Sequence, residues 1–299
     1  MKEVFFYVPE QFIFNYDQNP GKIFSKIGYS VFYNWIHQTW SLLQEANIAC
    51  KLTSNIQEKG ILIIVGGFLD ISFEVNQLPS ASTFLVEVVA DGFPSPRSHY
   101  SLLQNRAHAA LLPHACFMPH WPQPGLIPRD SARGVSFKNI CFFGEVENLA
   151  PELRSPAWSQ RLEEELGLHF EIRTVPEWHD YRDVDCAIGI RDFSFSHHFH
   201  KPATKLYNAW LAGVPFIGGS DSAYQADGHP GRDYLLARSL EEIFQYLKRL
   251  QENCSFRSML VQNGYDAGKS FTTEATLKRW KKLIEETLPS LALASSSSK

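Results

Sequence analysis

The stretch DCAIGIRDFSFSHHFHKPATKLYNAWLAGVPFIGG (185–219) decides the reading of this chain. DCAIGI (185–190) is an apolar run of strand length. A polar, aromatic and histidine-rich loop follows it. KPATKLYNAWLAG (201–213) has helical length, with Pro202 suited to the first helical position and Gly213 closing it. VPFIGG (214–219) is again an apolar strand. A strand, a helix and a second strand in succession make the crossover unit of a parallel sheet.

The same grammar extends outward. NICFF (139–143) and HFEIRTV (169–175) read as strands. Between them SPAWSQRLEEELG (155–167) reads as a helix with Ser155 as cap, Pro156 first and Gly167 last. SLEEIFQYLKRLQEN (239–253) is amphipathic, with Ser239 and Glu242 in capping-box spacing, and 255–288 is helical with breaks. The first half repeats the pattern: strands over 4–8, 61–68 and 83–90, and helices over 29–46 and 97–112. Five prolines fall within 113–134, where few regular elements are expected. The fold class expected is therefore α/β, with two Rossmann-like doubly wound domains facing across a cleft. The first spans 1–122, a linker 123–136, and the second 137–271. The tail 289–299, with its serine run, is expected to be disordered.

Composition narrows the function classes. The chain has 299 residues, 44% hydrophobic and 20% charged, enough for packed cores and too apolar for global disorder. A net charge of −4 argues against a generally cationic nucleic-acid binder. The apolar run 60–69 is too short to span a bilayer, and the start lacks the apolar core of a signal peptide. Five cysteines form no CxxC pair and suit reduced thiols, so a cytoplasmic location is expected.

The start of the 201–213 helix carries the chemistry. Lys201 is a poor cap, so the amides of Ala203, Thr204 and Lys205 lack an evident acceptor. These amides and the helix dipole make an anion site. Lys201 and Lys205, four apart, are expected on one face, and Thr204 adds a hydroxyl. Phosphate oxygens are the natural guest; a basic helix start closed by water is the alternative.

KLYNAWLAGVPFI (205–217) resembles the donor-binding helix of GT-B glycosyltransferases, which reads as a Lys, then E-A-x-A-x-G-x-P and an apolar strand. VPEWHDYRDVDCAIGI (175–190), NICFFGEVENL (139–149) and GGSDSAYQADGHPGRDYLLARSLEEI (218–243) are similar to other segments of the same domain. The resemblance covers about 139–250; the first half shares only the architecture. It implies transfer of a sugar from a UDP- or GDP-linked donor to a small-molecule or glycan acceptor, with no metal, no other cofactor and no nucleic acid. It also implies an acceptor-side first domain, a donor-side second domain and a helix, 272–288, crossing back to the first.

Individual residues follow from the resemblance. Lys201, Thr204 and Lys205 would hold the diphosphate, with Lys205 catalytic through the leaving group. Gly144 and Glu145 lie after the first donor-domain strand, where backbone approaches phosphate or sugar. Arg191 is either a second phosphate-binding cation or a salt-bridge partner of Asp192 or another acid. Pro176, with Trp178 and Tyr181, falls on the base-contacting loop, and Tyr224 follows a strand where sugar hydroxyls are met. Asn208 stands where retaining members carry a ribose-holding Glu. Asp91 and His99, with Arg97 nearby, are the candidate general bases. Aromatics of the first half, among them Phe14, Tyr16, Tyr29, Trp35 and Trp40, are candidates for an acceptor lining or for core. Asp183 and Asp185 form a D-x-D, but ahead of a strand rather than after one, and His197, His198 and His200 lack a zinc-like spacing. An inactive nucleotide-sugar-binding or scaffold protein and a sugar-nucleotide epimerase are the alternatives. A nicotinamide oxidoreductase is disfavoured, since no G-x-G-x-x-G follows a first strand.

Overall fold

The apolar runs sort into two parallel sheets in the computed structural model, which describes residues 2–12, 31–56, 59–66, 82–194 and 196–297. The described residues form two units. Unit 1 takes those within 1–120, 200–202 and 273–299; unit 2 takes those within 121–199 and 203–272.

Unit 1 opens with β1 (Val4–Tyr7) and a helix that passes through a π-helical turn, Tyr33–His37, into α1 (Gln38–Glu45). Then come β2 (Lys51–Thr53), β3 (Gly60–Val65), β4 (Thr83–Val89), β5 (Tyr100–Leu103), the short α2 (Arg106–Ala109) and β6 (Ala115–Phe117). The described strands lie in the order β2-β1-β3-β4-β5-β6, each pair parallel. β3 and β4 are buried along their whole length, which is why they read as unbroken apolar runs. Phe5, Tyr7, Leu62, Ile64 and Leu85 pack together on one face. Trp35 is core; Phe14, Tyr16 and Tyr29 lie outside the described residues, as do positions 67 and 68 of the expected strand 61–68.

Two expectations for this half are corrected. The helix over 97–112 is instead β5 followed by one turn of helix. Pairing of Tyr100–Leu103 along β4 outweighs the local helical spacing, and Asn105 then caps α2 by accepting from the His108 amide. The proline-rich stretch holds β6, paired with β5 through Ser101, Leu102 and Leu103.

Unit 2 contains β7 (Asn139–Phe143), α3 (Pro156–Leu166), β8 (His169–Arg173), β9 (Cys186–Gly189), α4 (Thr204–Ala212) and β10 (Phe216–Gly218). It continues with α5 (Ser222–Asp227), β11 (Leu235–Leu236), α6 (Leu240–Glu252) and α7 (Cys254–Gly268). Its strand order is β11-β10-β9-β7-β8, all parallel. The helix caps match the sequence: Ser155 accepts from the Ala157 amide and Ser239 from the Glu242 amide. Ile140, Phe142, Leu162, Ile188, Ile217 and Leu247 belong to one core. The stretch after His120 packs on this unit, where Ile127 exchanges backbone hydrogen bonds with His179 and Tyr181.

The last helices, α8 (Thr273–Lys282) and α9 (Leu288–Ser297), joined by a π-helical turn, belong to unit 1. Trp280 is fully buried, its ring 5.9 Å from that of Phe6. The serine tail expected to be disordered is helical as far as Ser297. Ala292 is buried and its carbonyl accepts from Lys2 Nζ at 2.8 Å, so tertiary docking overrides the modest helix propensity of serine.

Candidate functional site

In both sheets the strand order reverses between the first and third strands. The carboxyl edge at such a reversal is where doubly wound folds hold ligands. In unit 2 this point lies between β7 and β9. Gly144 leaves β7 with φ of +146°. A Cβ added there would lie 3.2 Å from both Cε and Nζ of Lys205. The Lys205 ammonium also sits 5.2 Å from the Phe142 ring centroid. Lys205 is in the first turn of α4, whose cap position, Ala203, supplies no side-chain acceptor. Thr204 Oγ1 is buried without a hydrogen-bond partner. The first turn of α4 thus carries an ammonium that reaches the exit of β7, amides without a side-chain cap and a hydroxyl without a hydrogen-bond partner, each a kind of group that favours an anion. Sequence singled out each of these residues; the fold brings Gly144 and Lys205 together.

The loops around this point are tied by a residue pair that sequence resolved only in part. Arg191 Nε donates to Asp221 Oδ1 at 2.9 Å, and Nη1 donates to Asn148 Oδ1 at 2.9 Å. Ala150 N donates to Ile190 O, and Ser222 N to His197 O. The exits of β7, β9 and β10 are thereby joined. Of the two roles open for Arg191, the structure shows the salt bridge, with Asp221 as its acid. Asp221 was missed, although an acid directly after an apolar strand was the available signal. Asp192 pairs instead with His198 Nε2 at 2.9 Å. Partial burial works to raise the Asp192 pKa, but the Ser194 hydroxyl and amide and His198 bring it below the usual range.

Other candidates fall elsewhere. Tyr224 is 1% exposed, its ring edge-on to Phe216, and burial pushes its pKa up; it is a core side chain, not a sugar contact. Tyr181 is likewise interior, stacked on Phe143 at 4.0 Å. Asn208 is 5% exposed and its Oδ1 accepts from the Gln123 amide at 3.1 Å, so its carbonyl anchors the preceding connection to α4. Glu145 and Pro176 are exposed on the loops leaving β7 and β8, each ahead of a short 3₁₀ turn. Asp185 opens β9 at the amino edge of the sheet, held by Arg129 and Arg133, while Asp183 accepts from Arg173. Among the described residues no group of three or more His, Cys, Asp or Glu side chains gathers as for a metal ion.

Lys201 requires a correction. It does not share a helix face with Lys205, because α4 begins only at Thr204. Residues 200–202 belong to unit 1. There Lys201 Nζ donates to Asp91 Oδ2 at 2.8 Å, and Asn105 Nδ2 donates to the Lys201 carbonyl at 3.0 Å. Those bonds keep the segment out of the helix. Asp91 lies just beyond β4 and also accepts from Gln104 Nε2 at 2.8 Å. His99 does not join it at the carboxyl edge. It sits level with Leu85, near the amino end of β4, where Nδ1 accepts from the Leu85 amide at 3.0 Å. A buried acid that sequence passed over, Glu87, lies within β4 and accepts from the Ser95 amide at 2.9 Å. Its signal was a carboxylate inside an otherwise apolar strand.

Two Rossmann-like parallel-sheet units, connected in this way, constitute the GT-B fold, and solved structures of that fold are what the chain resembles. No family model and no curated protein matches the chain. HepE of Anabaena, solved with UDP-glucose, is 10% identical and aligns over 97% of this chain and 100% of its own, with a TM-score of 0.55. The pneumococcal O-GlcNAc transferase GtfA, solved with UDP and GlcNAc, is 14% identical over 83% of this chain and 59% of its own, with a TM-score of 0.55. Sucrose-phosphate synthase from Thermosynechococcus elongatus is 12% identical over 77% of this chain and 74% of its own, with a TM-score of 0.53. At such identities the likeness is one of fold. No described helix is long and apolar enough to cross a membrane.

Proposed function

We propose that this protein is a glycosyltransferase that moves a sugar from a UDP- or GDP-linked donor to an acceptor hydroxyl. The observation that carries the reading is the Lys205 ammonium beside Gly144, at the uncapped start of α4 and at the strand-order reversal of unit 2. The nucleotide in the HepE and GtfA complexes supports it.

In the reaction the bond from the sugar's anomeric carbon to the diphosphate breaks and its electron pair goes to the phosphate oxygen. The acceptor oxygen bonds to that carbon and gives up its proton. Charge therefore grows on the diphosphate, and preorganised donors aimed there lower the barrier. Lys205, the Thr204 hydroxyl and the first amides of α4 are that set. No metal is assigned a role in this reading, since the D-x-D acids are engaged by arginines at the other edge of the sheet. Asp91, exposed and fixed by Gln104 and Lys201, is the base candidate. The His99 Nδ1 is already occupied by a backbone amide. Cytosolic placement belongs to the same proposal, supported by the free thiols of Cys141 and Cys186 inside β7 and β9.

One observation favours a second reading. Asn208 spends its carbonyl on Gln123, leaving no carboxylate at that position of α4. A protein that binds a nucleotide sugar without transferring it would show the same feature.

The test is a melting series with UDP, GDP, UDP-glucose and UDP-N-acetylglucosamine on the wild type and on Lys205→Ala. One nucleotide should raise the Tm, and the substitution should weaken its binding by about tenfold or more, the scale of a lost charge-assisted hydrogen bond. An undiminished response removes Lys205 from the site, and no response to any of the four sinks the reading. Nucleoside diphosphate release that rises on adding a glycan acceptor separates transfer from binding alone.

A further inference from the structure

Phe93 stands 70% exposed on a loop that is itself firmly held. The buried Glu87 carboxylate accepts from Ser95 N at 2.9 Å. Ser98 Oγ donates to Ser95 O at 3.0 Å and meets Ser101 Oγ at 3.1 Å, while Arg97 N donates to Ser95 Oγ at 3.3 Å. The ring is therefore not exposed because its loop is slack. It is propped by two imidazoles: His108, buried, meets it edge-on with centroids 5.7 Å apart, and His200 lies at 6.1 Å.

Two residues before it, Asp91 presents a carboxylate whose side chain is more than half exposed. That carboxylate is oriented by Gln104 on one oxygen and Lys201 on the other. An open aromatic ring next to fixed polar groups matches one chemistry well. A pyranose has a face of C–H groups that packs on an aromatic ring and a rim of hydroxyls that donate to a carboxylate. Each Asp91 oxygen already has one donor, and a carboxylate oxygen has a second lone pair that a sugar hydroxyl can meet at the exposed side.

We propose that Phe93 is the stacking platform of a pyranose-binding subsite in unit 1, with Asp91 accepting from the sugar's hydroxyls. The occupant is the acceptor sugar, so the inference rests on the glycosyl-transfer reading and gives its acceptor a chemical class.

The experiment is saturation-transfer difference NMR on the full chain with millimolar methyl α- and β-glucoside, galactoside, mannoside and N-acetylglucosaminide. UDP binding is followed in parallel. Wild type is compared with Phe93→Ala and Phe93→Trp, both at an exposed position where folding is not at stake. At least one glycoside should be saturated through the C–H protons of one face. Phe93→Ala should weaken its binding about tenfold, while Phe93→Trp should hold it within about threefold. UDP affinity should not change in either variant. Glycoside binding that survives Phe93→Ala, or saturation of none of the glycosides, overturns the platform. If UDP still binds in those cases, the transferase reading stands by itself. Conversely, Phe93-dependent glycoside binding with no nucleotide binding sustains a sugar site and fells the transferase reading. A dimer that Phe93→Ala dissolves would show the ring to be a self-contact and also overturns the proposal.

Discussion

Position 144 shows how much one residue type can decide. Its φ of +146° belongs to glycine's range, and a methyl group there would press on the Lys205 side chain at 3.2 Å. Gly144→Ala should therefore cost about 1–3 kcal/mol of stability, through backbone strain. It should also push the ammonium aside and weaken nucleotide binding. Urea melts and a nucleotide titration measure the two effects separately. Wild-type nucleotide affinity in the alanine variant would mean that Lys205 works without this close approach. Gly144 and Lys205 were each legible in sequence, one after a strand and one at a helix start. Their proximity was not, because 61 positions separate them. Tyr224 was misread for a related reason: position after a strand does not reveal whether a side chain points to a ligand or into the core.

Among the elements, β9 is paired with β7 and β10 and carries an ion cluster at its amino end. Asp185 is buried and accepts from Arg129, Arg133 and the amides of Lys138 and Asn139. It thus ties the stretch ahead of β7 to the starts of β7 and β9, all within unit 2. Burial works to raise its pKa, yet Arg133, the two amides and Arg129 more than offset this and hold it below the ordinary aspartate value. As pH falls, the unfolded carboxylate, near pH 4, takes up its proton before the folded one does. The stabilisation is thus complete above about pH 4 and is lost as pH drops through the lower folded value. Asp185→Asn should cost about 3–5 kcal/mol at neutral pH, because two partly buried guanidinium groups lose their partner. It should also flatten the acid limb of a stability–pH curve obtained from denaturant melts. Neutral-pH stability equal to wild type would show that solvent already screens the cluster.

On the scale of the whole molecule, the chain ends where it began. α8 and α9 pack within unit 1, with Trp280 fully buried near Phe6 and Ala292 bound by Lys2. Trp280→Ala should cost about 3–5 kcal/mol. Ending the chain before Thr273 should expose the same face and yield insoluble or non-cooperatively melting protein. Solubility and thermal melts followed by circular dichroism check both, and a soluble, cooperatively melting truncation would show these helices to be dispensable.

The sequence by itself determined the parallel α/β character, the central strands and the caps at Ser155 and Ser239. It also marked the glycine and lysine of the candidate site. These are local matters: an apolar run long enough for a strand, or an oxygen placed to meet the first amides of a helix. Tertiary structure alone decided that Tyr100–Leu103 is a strand, that α4 starts at Thr204, that Lys201 faces Asp91 and that Arg191 faces Asp221. Each of those outcomes depends on a hydrogen-bonding or packing partner distant along the chain, and the energy of pairing with it exceeds the weak preferences that neighbouring residues impose.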